Sequence, residues 1–496
     1  MLSSEPGGFR GSWSYKTYPT AKVIHFSQRE ERNLFFLCNG IKIIPLPIEM
    51  TAMRTLIKNA TVVNEGQKAL LDVAIENEFI DEIAPCGKLQ GCFDNEIDAT
   101  GLLLLPGVID DQVHFREPGS TQKADIYSES RAAAAGGVTS YMEMPNTNPP
   151  TINDELLKQK FDIAGENSLV NYSFFIGATE NNIDDIAKID TSEVAGVKLF
   201  LGSSTGNLLV KDKNAIEKIM QVSPTIIAAH CEDDGIIAEN LNRMKEIYGD
   251  DIPMEKHCEI RSADACYKSS SEAAEIAKHT SAHLHIFHIS TEKELALLSD
   301  KPLNEKQITA EVCVHHLFFN SDDYKRLGSR IKWNPAVKYE SDRLALIQAL
   351  KDGKIDVVAT DHAPHTWEEK CAPYTKCPSG APMVQHSLQV MIELAQRGYF
   401  EIEDIVRWMS HNPAQLYHID RRGFIRKGYF ADLVLVDPNA RYEVTKDNLM
   451  YKCKWSPLEG HAFNSKIVKT LVNGKIVFDN GKIINGKSAM KLKFNR

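Results

Sequence analysis

Between about Leu103 and Tyr417 the chain alternates short apolar runs with helical stretches, and most of the apolar runs contain, or lead into, a residue that binds metals or protons. The apolar runs include Val138 to Met144, Val197 to Leu201, Thr225 to Ala229, Leu284 to Ile289 and Asp356 to Thr360, with helical stretches such as Arg343 to Leu350 between them. Alternating strands and helices predict a parallel α/β sheet or barrel. In a (β/α)8 barrel the C-terminal ends of the strands and the loops after them form the active face. One pattern therefore constrains both the fold and the place where its chemistry gathers.

The flanks differ. From Thr55 the chain shows short alternating strands at 56–63, 71–75 and 79–83, and a matching set appears at 432–436 and 467–472. The last of these leads into an Asn473-Gly474 turn and a partner strand, a hairpin signature. Two β segments bracketing a long middle predict a small β-sandwich made from both ends of the chain, residues 53–104 and 421–496, around a barrel at 105–420. A barrel absorbs roughly 250 residues or more by itself. A chain of 496 residues therefore needs no third domain. Residues 1–49 show no helical or strand period, and Met50 and Met53 stand just before the first clean strand. We expect 1–52 to be a poorly ordered, dispensable extension, with an early start codon or an organellar targeting peptide as alternatives.

Charge and cysteine usage exclude other classes. A net charge of -10 with no basic stripe argues against a nucleic-acid partner. No apolar run is long enough to make a membrane helix. The best candidate, Leu34 to Ile48, is broken by Lys42, Pro45 and Pro47. A cytoplasmic enzyme without a membrane partner is expected. The ten cysteines contain no C-x-x-C pair, so most should be reduced, buried thiols. For Cys371 and Cys377, close together in one loop, a disulfide or metal role is the minority reading.

The chemistry-bearing residues begin with Asp110-Asp111-Gln112-Val113-His114-Phe115-Arg116-Glu117-Pro118-Gly119. Alternation aims residues 112, 114 and 116 to one side of an extended chain. Alone, a histidine near an arginine is more often a structural pair than a ligand. Lys198 lies inside the strand Gly196 to Leu201, where a charge is costly unless neutralised, either by a salt bridge or by carbamylation with CO2. His230 and His288 follow apolar runs and are each ambiguous between core residue and ligand. Asp361-His362-Ala363-Pro364-His365 ends another strand. One carboxylate, three histidines and a buried lysine at strand ends suit a divalent ion, zinc first among them. His315-His316 is read as packing or as support behind the ligands rather than as a ligand, and His257, His386, His411 and His418 as core or surface residues.

At this point the resemblance becomes specific. His114 to Gly119, Met144-Pro145-Asn146-Thr147-Asn148-Pro149-Pro150, Gly196 to Leu199, Asn334-Pro335 and Ala359 to His365 resemble, in order, the signature of the dihydroorotase family within the amidohydrolases. The likeness runs from about Thr55 to Gly486. It implies a metal centre of one or two zinc ions held by His114, Lys198 as its carbamate, His230, His288 and Asp361, with Asp361 also the catalytic acid–base. It implies substrate binding by Arg116, Asn146, Asn334 and His365, with loop contacts from Ser379 and Gly380. It implies reversible hydrolysis of L-dihydroorotate to N-carbamoyl-L-aspartate, a small-molecule substrate and a homo-oligomer.

One departure stands out, because the family has His-x-His where this chain has Gln112-x-His114. A neutral amide oxygen is a weaker zinc ligand than imidazole, so Gln112 is a doubtful metal residue. Two other functions compete. A related cyclic amidase would act on hydantoins, dihydropyrimidines or allantoin, substrates without the ring carboxylate that Arg116 suits. A metal-poor scaffold homologue is supported by Gln112 alone, against the retention of Lys198 and Asp361.

Overall fold

The computed structural model describes residues 15–18, 21–24, 35–37, 43–45, 52–202 and 208–496. The chain divides into two compact units, Met1–Met53 and Arg54–Arg496. In the first, Tyr15–Tyr18, Ala21–Ile24, Phe35–Leu37 and Ile43–Pro45 pair in sequence as an antiparallel sheet. These strands went unread in the sequence because so few residues give alternation no room to register. The remainder of the extension expected over 1–52 lies outside the described residues.

The second unit holds the barrel. Its strands are β1 (Val108–Val113), β2 (Val138–Glu143), β3 (Asn171–Gly177), β4 (Gly196–Phe200), β5 (Ile227–His230), β6 (Leu284–Ile286), β7 (Ile308–Cys313) and β8 (Val357–Ala359). Each pairs in parallel with the next. A bridge between Val113 and His362 closes the ring, and the Thr360 hydroxyl donates to the Asp110 carboxylate at 2.6 Å across the seam. Every residue of the eight strands is buried. That explains the continuous apolar runs, since a parallel sheet covered on both faces has no solvent side to alternate with.

Helices cover the outside. Ile126–Ala135 starts at Asp125, whose side chain accepts from the Ser128 amide in a reciprocal capping box. Its buried alanines, Ala132 to Ala135, let it pack closely on the barrel. Glu340–Lys351 carries Glu340 and Asp342 in its first turn and Lys351 in its last, in the sense that complements the helix dipole.

The β domain is drawn from both ends, as the flanking patterns predict. Its nine strands form one hydrogen-bonded ladder rather than two disconnected sheets, joined where Leu103–Pro106 pairs antiparallel with Leu433–Asp437. Ile57, Val73, Leu104, Leu433 and Leu471 build its core. In the Asn473-Gly474 hairpin both turn residues have positive φ. That left-handed pair is what a two-residue hairpin requires. Cys371 and Cys377 are both free thiols, which removes the disulfide reading. No helix among the described residues is long and apolar enough to cross a membrane.

Candidate active site

A cavity of about 200 Å³ opens at the C-terminal ends of the barrel strands. Gln112 reaches it from β1 and His114 from just beyond. Asn146 comes from the loop after β2, Lys198 from β4 and His230 from the end of β5. His288, Asn334 and Asp361 follow β6, β7 and β8. Arg116, His365, Ser379 and Gly380 complete the wall with Phe200, Ala363 and Pro378. Every residue singled out in the sequence for metal or substrate thus faces one space.

Three of them hold unusual backbone. Arg116, His288 and Asp361 all have positive φ. Non-glycine residues seldom occupy that region, which costs of order 1–3 kcal/mol. In each case the turn out of a strand end points the side chain into the cavity rather than along the barrel wall.

His114 Nε2 lies 3.2 Å from Asp361 Oδ1, and His230 Nδ1 lies 2.9 Å from His288 Nε2. Burial holds His114 and His288 well below the ordinary imidazole range, with Arg116 (for His114) and His230 (for His288) adding to the effect. Both imidazoles are therefore neutral. Burial also raises Asp361 to about 7, against the opposing pull of Lys198 and His230. Lys198 falls to about 7 by burial, although Glu311 and Asp361 oppose the fall. Among the described residues its Nζ has no hydrogen-bond partner, and it stands 4.0 Å from the centre of the Phe287 ring and 4.9 Å from that of Phe200. A fully buried amine without a partner is expensive unless it loses its charge or gains a ligand. Neutral imidazoles, a carboxyl group and a lysine drawn toward its uncharged amine, all lining one cavity, fit a divalent metal centre.

Supporting residues escaped the sequence reading. Glu232 Oε2 lies 3.0 Å from His230 Nε2 and pairs with Arg261. Burial favours its protonation, yet Arg261 and His230 outweigh that and hold the carboxyl down at about 2. Glu311 Oε1 accepts from the His288 amide at 3.1 Å. Glu129 Oε2 meets His362 Nε2 at 2.9 Å, while His362 Nδ1 accepts from the Met383 amide at 3.0 Å. That clamp fixes the strand end carrying Asp361. The only signal in the chain was Glu232's place two residues after His230.

Arg116 donates from Nε to the Pro364 carbonyl at 3.1 Å, and its Nη2 lies 3.1 Å from His365 Nε2. Burial lowers it to about 10, so it remains a cation at neutral pH. Gln112, 2% exposed, accepts a weak contact from the Cys313 thiol at 3.8 Å. Two buried donor groups lie beside the cavity, Asp111–His285–Glu311 and Cys313–His315–His316. His315 stacks on Trp333 at 4.0 Å and His316 meets the Pro335 carbonyl at 3.2 Å, in keeping with a packing role.

The amidohydrolase family pattern matches residues 103–477, and the chain belongs to that family. Within it, the chain is similar to the dihydroorotase of Halobacterium salinarum, with 34% identity over 82% of this chain and 93% of the relative. It is 32% identical to that of Methanosarcina acetivorans over 82% and 88%, and 30% identical to that of Bacillus subtilis over 87% and 100%. Among solved structures it resembles the L-hydantoinase (dihydropyrimidinase) of Arthrobacter aurescens, with a TM-score of 0.83 at 23% identity over 88% of this chain and 99% of that one. At that identity the structural likeness speaks for the barrel and its β domain alone.

Proposed function

We propose that this protein is a dihydroorotase, hydrolysing the cyclic amide of L-dihydroorotate to N-carbamoyl-L-aspartate and closing the ring in reverse, a step of pyrimidine synthesis. The observation that carries the reading is Arg116, a half-buried cation opening into the same cavity as Asp361. Dihydroorotate differs from neutral ring amides by its carboxylate, and a planar guanidinium matches that group in a way lysine does not. The curated relatives at 30% identity and above bear the same name. The hydantoinase reading rests on fold alone, and a scaffold has no use for Lys198 and Asp361 turned into a common cavity.

His114, Lys198 as its carbamate, His230, His288 and Asp361 would hold zinc. When bound, the ion supplies an activated water and polarises the amide carbonyl. The chain's own groups do the rest. Lys198, drawn toward its neutral amine, can add CO2 through a new N–C bond, giving up one N–H proton to solvent and becoming the carbamate anion. Asp361 takes a proton from the attacking water and passes it to the ring nitrogen as the C–N bond breaks. Its raised pKa suits a group that must both accept and return a proton near neutrality. Arg116 binds the substrate carboxylate, Asn146, Asn334 and His365 hydrogen-bond the ring, and Ser379 and Gly380 offer loop contacts. One water is consumed, its oxygen going to the carbonyl carbon and a proton to the nitrogen.

The same reading implies a cytoplasmic homo-oligomer, which size-exclusion chromatography tests. The function itself is tested by comparing turnover of dihydroorotate, dihydrouracil and hydantoin on metal-assayed protein. Dihydroorotate should be preferred by orders of magnitude, and equal turnover of all three would overturn the assignment.

A further inference from the structure

Lys332 and Lys370 take no part in the chemistry above, yet they are only 6% and 1% exposed. Buried lysines normally meet a carboxylate. Among the described residues these two meet backbone carbonyls instead. Lys332 Nζ donates to Tyr374 O at 2.8 Å and to Cys377 O. Lys370 Nζ donates to Pro378 O and Gly380 O, both at 2.9 Å. These four carbonyls belong to one loop, residues 371–380, whose end lines the cavity at Pro378, Ser379 and Gly380, and Lys370 Nζ also reaches the Lys332 carbonyl at 3.5 Å.

We infer that Lys332 and Lys370 are positioning residues, whose buried Nζ groups hold loop 371–380 so that Ser379 and Gly380 face the substrate cavity. The loop needs donors from outside because Pro373 and Pro378 have no N–H. Its buried carbonyls would otherwise go unpaired, at a cost comparable to a lost hydrogen bond each. Burial draws Lys332 down to about 8 and Lys370 to about 7. As amine or ammonium, each Nζ keeps at least two N–H, enough for the two loop carbonyls it serves.

The anchoring is reciprocal. The Gly380 amide donates to the Lys332 carbonyl at 2.7 Å, and the Ser379 carbonyl lies 3.0 Å from His365 Nε2. Gly380 has φ of 122°, and a Cβ there would come within 2.4 Å of the Ala363 carbonyl oxygen. The loop end is thus seated backbone to backbone on the segment that carries Asp361 and His365. Two lysines on one side and Ala363 on the other leave it a single position.

Two thiols in the loop report on it, Cys377 buried and Cys371 exposed. Maleimide labelling of the full chain, mapped cysteine by cysteine by mass spectrometry, compares the unmodified protein with Lys370→Met and Lys332→Met. Each variant should label Cys377 faster by about tenfold or more, the loss of one to two hydrogen bonds. Buried Cys231 and Cys266 should stay protected. Bound metal should be unchanged, and KM for dihydroorotate should rise by a similar factor with kcat altered less. Lys370→Gln, which keeps a polar end, stands in if the methionine variant does not fold. Unaltered protection of Cys377 in the variants overturns the inference, as does its exposure only together with Cys231 and Cys266, which would assign the lysines to the whole fold. The effect on turnover rests on the function proposed above, whereas the thiol readout does not. Released Cys377 with no dihydroorotate turnover in any protein would therefore count against that function and leave the loop assignment standing.

Discussion

Nδ1 of His230 and Nε2 of His288 face each other across 2.9 Å at the ends of adjacent strands β5 and β6. At most one of the two nitrogens carries a proton. Behind them, Glu232 Oε2 sits 3.0 Å from the far nitrogen of His230 and is itself paired with Arg261. A proton on that far nitrogen turns the lone pair of Nδ1 toward His288, the arrangement in which a carboxylate orients a metal-binding histidine.

Glu232→Gln should therefore keep the fold while weakening metal binding by about 10- to 100-fold. Competition with a chromophoric chelator reads the affinity directly, without reference to turnover. Unchanged affinity in a folded variant would reduce Glu232 to a partner of Arg261 alone.

The same carboxylate carries a pH signature. Arg261 and His230 hold it at about 2 in the folded chain, against an ordinary value of 4.5. A depressed carboxyl contributes stability that is fully present above its ordinary value and is lost as the pH falls toward the folded one. The shift corresponds to up to about 3 kcal/mol. Urea unfolding of metal-stripped protein at pH 6 and at pH 3.5 should show the advantage of the unmodified chain over Glu232→Gln shrinking with acid. A constant difference between the two proteins would show that Glu232 is not held down in the native state.

Much of this was legible in the sequence because burial on both faces leaves a barrel strand no polar alternation, so apolar runs with a ligand at their end stand out. Gln112, His114 and Arg116 could be aligned by their two-residue spacing, and the Asn473-Gly474 turn by its residue types. Other relationships had no local signature. Glu232 and Arg261 meet through tertiary packing, as do Lys332 and the carbonyls of Tyr374 and Cys377. The left-handed backbone at Arg116, His288 and Asp361 is imposed by the strand ends rather than by the run of sequence around them. The union of Leu103–Pro106 with Leu433–Asp437 spans the whole barrel, and a strand's own pattern does not name its partner.

Substrate choice should rest on Arg116. Its guanidinium reaches the cavity from just beyond His114 and is oriented by the Pro364 carbonyl and His365. Arg116→Met removes the fork but leaves the five candidate metal ligands untouched. Turnover of dihydroorotate should fall by orders of magnitude, since the substrate carboxylate loses a bidentate, charge-assisted partner in a cavity largely closed to water, while bound zinc stays nearly constant. Retention of both activity and preference over dihydrouracil would move carboxylate recognition to another residue.

The last prediction concerns Gln112. It lines the cavity beside His114, but its side-chain oxygen is a neutral amide in contact with the Cys313 thiol at 3.8 Å. His114 and Asp361, 3.2 Å apart, are left to hold any ion on that side without the second imidazole the family carries. Lys198, His230 and His288 have no such defect. Purified protein should then contain close to one tightly held zinc equivalent, with a second site filling only when zinc is added. Activity should survive on the tight ion alone, because Asp361 can still shuttle the proton. Gln112→His should raise occupancy of the weak site, provided the ring displaces the Cys313 contact without strain, and the double variant with Cys313→Ala makes that room. Equilibrium dialysis with metal analysis measures both sites independently of catalysis. Two full equivalents in the unmodified protein, resisting a mild chelator, would show that the amide oxygen is an adequate ligand or that a neighbouring donor has taken its place.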